Sequence, residues 1–448
     1  MRLLRNLVDF LRLNYHLYHF TPERIRQYQE KAVLRLIDLV RRDSPFYRDL
    51  YAGRSIKGLA DYGQLPAINK EIMMTNFDRL NMAGLRLAEV MDFALTKEAA
   101  HDYLGYYQDR YVIGLSSGTS GNKGIFVTSS ELTKRLPGVF MARGGVRLSD
   151  LPLKILFLLR VFSQGFADMN APMIKLHYLP SMTEPLEILA EYNRMQANIL
   201  MAPPSLLRQL LPLYQQIQSP PCRIITYAEV LDPLEKDRFE ATFGAPVVEI
   251  YQASEGQIAS PCRCGNLHIN EDLVYVELLD ENGRPLTEES GQRSKRMFVT
   301  NLVNTVQPLL RYEMNDIIEL GGPCPCGSHF RVISRVIGRN DDVLHLRNQC
   351  GILRPVYPDL VSRWIITTDD RICEFIVEQV APDHLLITLD LSDNYFPGDE
   401  LIDRLRLRLT RELAAFDIQC ALTIKIQKIT MPTDNRKLKR FIAPRFTL

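Results

Sequence analysis

Ser116-Ser117-Gly118-Thr119-Ser120-Gly121-Asn122-Lys123-Gly124 is the stretch on which the reading of the fold turns. Its three glycines let a backbone approach a ligand closely, and its hydroxyls and Lys123 suit phosphate oxygens. Strand-like residues flank it, Tyr111-Val112-Ile113 before and Ile125-Phe126-Val127-Thr128 after. A Walker loop needs GxxxxGK[ST] running into a helix, and neither the spacing nor the following strand fits. Gly114-Leu115-Ser116-Ser117-Gly118 matches G-x-S-x-G letter for letter. A nucleophile elbow also runs into a helix, so that match is coincidental. By composition alone the stretch is either a phosphate cradle or a polar hairpin turn.

Working outward, the chain after the loop alternates strand and helix. Leu153 to Phe162 reads as a buried strand, Glu184 to Gln196 as a helix, Asn198 to Met201 as a strand and Ser205 to Ile217 as a helix. Arg223 to Tyr227 and Val247 to Tyr251 are further strands, with a helix opened by Asp232-Pro233 and closed by Gly244 between them. This alternation predicts an α/β body with substantial parallel pairing. Before the loop, to about residue 105, the periodicity is helical; after residue 270 the chain becomes β-rich. Leu401, Leu405, Leu409 and Leu413 form an i, i+4 stripe that favours a helix inside a small α+β unit closing the chain. The expected fold class is therefore α/β: a large multi-layer N-terminal domain with mixed sheets over 1–338, and a small mobile α+β domain over 339–448.

The 448 residues are 46% hydrophobic and 24% charged, with a formal net charge of +1. That balance describes a globular chain and argues against nucleic-acid binding through a general basic field. No apolar run is long enough to span a bilayer, so stable membrane insertion is not expected. Met1 to Tyr18 lacks the uncharged core of a signal peptide. It reads as an amphipathic helix docked on the body, with attachment to a membrane surface as the alternative. A cytoplasmic location is expected.

Further landmarks follow the loop in order. They are Thr226-Tyr227-Ala228-Glu229, Glu249-Ile250-Tyr251-Gln252-Ala253-Ser254-Glu255-Gly256, Leu310-Arg311-Tyr312-Glu313-Met314-Asn315-Asp316 and Gly338-Arg339-Asn340-Asp341-Asp342. Together with the loop they resemble the adenylate-forming superfamily of acyl-CoA synthetases, adenylation domains and luciferase. Pro66-Ala67-Ile68-Asn69-Lys70-Glu71 and two cysteine pairs narrow the resemblance to the branch of phenylacetate–CoA ligase and coenzyme F390 synthetase-like proteins.

The resemblance implies ATP-dependent activation of a carboxylic acid to acyl-AMP, then transfer to a thiol of CoA or of a carrier-protein phosphopantetheine. Transfer to an amine or hydroxyl, and nucleotide binding without turnover, are the alternatives. It assigns the ATP phosphates to Ser116, Ser117, Gly118, Thr119, Ser120, Gly121 and Lys123. The nucleotide pocket falls to Ala228, Glu229 and Tyr251, the ribose to Asp316, with Arg339 at the ribose or phosphate. Glu255 is implied as the Mg²⁺ ligand, Asp341 as the hinge and Lys437 as the catalytic lysine, with Lys439 its competitor. Thr119 and Glu255 share the catalytic role with Lys437. Arg436 stands where the family has glycine, and Asn348 follows Arg347 where the family has an Arg-Gly tunnel segment. The expected partners are a small aryl or acyl carboxylic acid and, less specifically, an acyl carrier protein or a second copy in a homodimer.

Cys262-Arg263-Cys264-Gly265 and Cys324-Pro325-Cys326-Gly327 are C-x-C-G knuckles. Four thiolates from two turns suit tetrahedral Zn²⁺ in a structural role, with His268 as a spare ligand. Four reduced cysteines without metal are the alternative.

Overall fold

The computed structural model describes residues 2–100, 102–115, 123–159, 163–286, 291–392, 399–430 (the side chain of 399 excepted) and 438–444. The chain opens with helices α1 (Arg2–His19) and α2 (Pro22–Asp43). Thr21 caps α2 by accepting from the Arg24 N–H, and Pro22 occupies its first turn. Short helices continue to Ala99.

Strands β1 (Tyr111–Leu115) and β2 (Ile125–Ser129) then pair antiparallel on either side of the glycine-rich stretch. Residues 116–122 of that stretch lie outside the described residues. Next come β3 (Leu153–Leu159), β4 (Ile174–Pro180), β5 (Ile199–Met201), β6 (Arg223–Thr226) and β7 (Val247–Glu249). They form a parallel sheet of order β4-β3-β5-β6-β7, the pairing that the strand–helix alternation predicts. β3 ends at Leu159; residues 160–162, assigned to the same strand from the sequence, are outside the described set. Helix Pro233–Phe243 is capped by the Asp232 carboxylate and closed by Gly244 at φ +63°.

β8 (Tyr251–Ala253), β9 (Gly256–Pro261) and β10 (Leu267–Ile269) start a second sheet. The chain leaves it for a three-stranded sheet of β11 (Val274–Leu279), β12 (Arg296–Asn301) and β13 (Tyr312–Met314), and returns as β14 (Asp316–Leu320) and β15 (Val332–Arg339). The completed order is β14-β15-β10-β9-β8. That order carries Tyr251, Glu255 and Asp316 to one end of the body.

From Leu344 onward the chain has its own core. β16 (Leu344–Arg347) pairs with β17 (Leu353–Val356). β18 (Ile372–Ala381), β19 (His384–Leu391), β20 (Ala421–Ile426) and β21 (Phe441–Ile442) make a sheet of order β20-β19-β18-β21. Helix Asp399–Ala414 lays Leu401, Leu405, Leu409 and Leu413 into this core, each no more than 1% exposed. Burial stabilises by roughly 2 kcal/mol for each such leucine. The contact with the large body is rich in charge: Arg363 with Asp232 (2.8 Å), Arg238 with Asp370 (2.9 Å) and Arg440 with Glu229 (3.1 Å). Water can replace polar partners of this kind, so the contact resembles a transient interface more than a shared core.

α1 docks on the body, and it does so through its polar face. Asn6, Asp9 and His16 are buried beside Leu13 and Leu17. Arg135 Nε donates to Asp9 (2.7 Å), while Asp272 is held by Arg143 (3.0 Å) and His16 (2.9 Å). Burial works against an ionised Asp272, yet Arg143 and His16 keep its carboxyl below the usual carboxylate range. Gly138 permits the close crossing, since a Cβ there would stand 2.3 Å from the Asn6 carbonyl oxygen.

Candidate active site

A cavity of about 1790 Å³ lies between the large body and the C-terminal unit. Lys123, Ala228, Glu229 and Tyr251 line it, and so do Glu255, Asp316, Arg339 and Asp341. Every expected nucleotide-site residue that is described therefore faces one space. Lys437, like residues 116–122, lies outside the described residues. Lys439 lines the cavity and stands near Asp342.

The geometry has a charged centre. Tyr251 donates its hydroxyl to Asp316 Oδ2 at 2.6 Å. Arg339 pairs with the other Asp316 oxygen at 3.7 Å, directly across the β14–β15 ladder. Burial raises the Glu255 carboxyl, and the neighbouring Asp316 adds to the rise; Tyr312 and Arg339 oppose it. Burial lowers Lys70, which faces Glu255. A carboxyl buried in a poorly solvated cleft, with a like charge in reach, favours a cation at its oxygens and a polyanionic partner beside that cation. The donor set thus fits Mg²⁺ at Glu255. Asn301 fixes this turn by donating to the Glu255 carbonyl at 2.8 Å.

The turn after β6 is shaped by Ala228, at φ +66°. The left-handed region costs a non-glycine residue about 1 kcal/mol, so glycine would be the unstrained choice there. The turn presents Glu229 to Ser205, whose backbone N–H (3.1 Å) and hydroxyl (2.8 Å) both donate to it. Burial alone would raise Glu229; Arg440 and Arg208 bring it below the ordinary range. Lys123, at the foot of the glycine-rich stretch, is ion-paired with Glu98.

Two residues here were given no role from the sequence. Lys70 sits at the start of a short helix capped by Asn69, and Arg440 reaches the site from just before β21. The segments that hold them do not say what they face; their approach to Glu255 and Glu229 does. The Arg347-Asn348 departure is also accounted for. Asn348 Oδ1 accepts from the Cys350 (3.1 Å) and Ile352 (2.8 Å) N–H groups, and Gly351 takes the positive φ of the turn.

The cysteine knuckles do come together, with His268 among them. Cys262, Cys324 and Cys326 join His268, their ligand atoms all within 4.8 Å of one another, while Cys264 is exposed and outside the group. The tightest group thus brings in His268, the spare ligand, while Cys264 still meets Cys262 from the exposed side. The reason is register: β10 pairs antiparallel with β9 and turns His268 inward beneath Cys326, with Nε2 at 3.5 Å from its sulfur. Cys262 and Cys324 are 3.7 Å apart, close to the edge of a tetrahedron with metal–sulfur bonds of about 2.3 Å. His268 Nδ1 lies 2.7 Å from the Phe330 carbonyl, which leaves Nε2 for a metal. Gly265 and Gly327 have φ of +82° and +81°, the conformation each knuckle needs. This donor set fits Zn²⁺.

No protein-family model matches the chain. It is 23% identical over 396 residues to Protein CapK of Staphylococcus aureus, covering 83% of this chain and 79% of that protein. It is 25% identical over 429 residues to the phenylacetate-coenzyme A ligase of Thermus thermophilus, covering 87% and 90%. Among solved structures, a 2-hydroxyisobutyryl-CoA ligase in its postadenylation state superposes with a TM-score of 0.72 at 17% identity, over 96% of this chain and 92% of that one. The same ligase in its thioesterification state gives 0.57.

Proposed function

The chain has the fold of the adenylate-forming ligases, and on that premise we propose that it activates a carboxylic acid with ATP and passes the acyl group to a thiol. One observation carries the proposal. Asp316, Glu255 and Arg339 of the large body and Lys439 and Arg440 of the C-terminal unit converge on a single cavity. The better overlap with a postadenylation than a thioesterification arrangement supports the view that the two bodies stand as they do in the first half-reaction.

In that half-reaction a substrate carboxylate oxygen attacks the α-phosphorus of ATP. The bond to the bridging oxygen breaks, and pyrophosphate leaves. Asp316 accepts hydrogen bonds from the ribose hydroxyls, held in place by Tyr251 and Arg339. The glycine-rich stretch with Lys123 holds the phosphates. A lysine of the 437–439 segment offsets charge developing at the α-phosphate. Mg²⁺, held at Glu255, supplies charge neutralisation to the phosphates. The charged contact around Arg440 then opens, and the C-terminal unit turns about Asp341. A thiol sulfur attacks the acyl carbon, its proton goes to solvent, and AMP departs. CoA is the first candidate acceptor; a carrier protein's phosphopantetheine offers the same thiol.

Zn²⁺ in the Cys262, His268, Cys324 and Cys326 group is structural, because four protein ligands leave no open position for substrate. A free thiol as acceptor suits a reducing compartment such as the cytoplasm. Pyrophosphate release measured across aryl, hydroxy and aliphatic acids, with and without CoA, tests the proposal. Release that needs an acid supports it, and release indifferent to every acid contradicts it.

A further inference from the structure

Docking through the polar face leaves α1 with its apolar side outward. Leu3 and Leu4 are 66% and 67% exposed, and Leu7, Val8, Leu11 and Tyr15 are at least 47% exposed. At 3.6 residues per turn these six fill an arc of roughly 140° opposite the buried face. Within that arc Asn14 turns its amide back to the Phe10 carbonyl. The orientation is locked, because rotating α1 to bury the leucines would expel Asp9 from Arg135 and His16 from Asp272. Separating such buried pairs costs several kcal/mol. The stripe is thus a property of the folded chain.

We infer that α1 rests on an anionic lipid surface, lying along it with the leucines at the acyl boundary. Charge decides the occupant. The exposed charges of the helix, Arg2, Arg5 and Arg12, are all cationic; Arg2 also donates to the Asp168 carbonyl, and the one acid, Asp9, is buried between Arg135 and Arg12 (3.4 Å). Arg5 and Arg12 fall on one flank between the stripe and the docked face; Arg5 also meets the exposed Glu131 at 3.0 Å. Leucines below and arginines beside them match acyl chains and anionic headgroups. A second copy paired through the same stripe would bring like charges together. The helix lies on the bilayer without crossing it, since no described helix is long and apolar enough to span one.

Co-sedimentation of the full chain with phosphatidylglycerol–phosphatidylcholine vesicles, against pure phosphatidylcholine, tests this. The chain should pellet with the anionic vesicles and be released by salt. Leu4→Ser/Leu7→Ser/Leu11→Ser should lower vesicle affinity at least about tenfold with an unchanged melting temperature. Arg5→Gln/Arg12→Gln should lower it about tenfold on anionic vesicles and leave the neutral ones unaffected. No binding to anionic vesicles overturns the inference. So does a concentration-dependent dimer that the leucine variant dissolves, which would give the face to a second copy.

Discussion

Arg440 donates through Nη2 to Glu229 at 3.1 Å, joining the C-terminal sheet to the turn that lines the nucleotide side of the cavity. The same guanidinium holds Glu374 within its own unit at 2.6 Å. One side chain thus ties the position of the C-terminal body to the site it covers.

Glu229→Gln keeps the volume and weakens that tie. Acyl-AMP formation should slow about tenfold in single-turnover assays, while thioester formation from supplied acyl-AMP changes less. Arg440→Ala should cost more, since it also strands buried Glu374. A double-mutant cycle should show coupling of about 1–3 kcal/mol.

Asp316→Ala should reduce ATP affinity by more than about tenfold, measured by calorimetry, because the ribose loses a charged acceptor. Tyr251→Phe removes the 2.6 Å hydrogen bond to Asp316 and a long contact with the Met297 sulfur at 3.9 Å. It should cost about 0.5–1.5 kcal/mol. Unchanged affinity in Asp316→Ala would remove its ribose role.

Metal analysis should find one zinc per chain. Cys262→Ser and His268→Ala should lose it and lower the melting temperature, whereas Cys264→Ser should retain it. Loss of zinc in Cys264→Ser with retention in His268→Ala would select the four-cysteine set instead.

Glu249 lines the cavity, and burial raises its carboxyl from 4.5 to about 7, opposed by Lys236. A folded value above the unfolded one means that the native state holds the extra proton between those pH values. Stability contributed by this group is therefore present at low pH and lost as pH rises toward 7. Glu249→Gln should flatten that fall and stabilise the chain at pH above 7 by on the order of 1 kcal/mol, read from denaturation midpoints across pH.

Lys437→Ala should slow adenylation more than thioester formation. Activity unaffected by it but lost in Lys439→Ala would transfer the role to the lysine near Asp342.

Much of the body was legible because burial leaves a pattern in the chain. The apolar run from Leu153 reads as a strand covered on both faces, and Leu401 to Leu413 reads as a stripe. The ordered segments around Tyr251, Asp316 and Asp341 were legible as motifs, and all three line the cavity. Contacts between distant residues left no such pattern. Nothing near Asp9 announces Arg135, so α1 read as helix without revealing which face turns inward. The knuckle spacing named the four cysteines, whereas the closeness of His268 to Cys326 comes from the β9–β10 pairing and leaves no spacing signal. The partners of Lys70 and Arg440 are set by tertiary approach.

The central claim is carboxylate activation by ATP. Its most direct test is exchange of radiolabelled pyrophosphate into ATP across a panel of acids, with no thiol present. Exchange that requires one class of acid and disappears in Asp316→Ala is the predicted result. ATP binding with no exchange for any acid would contradict it.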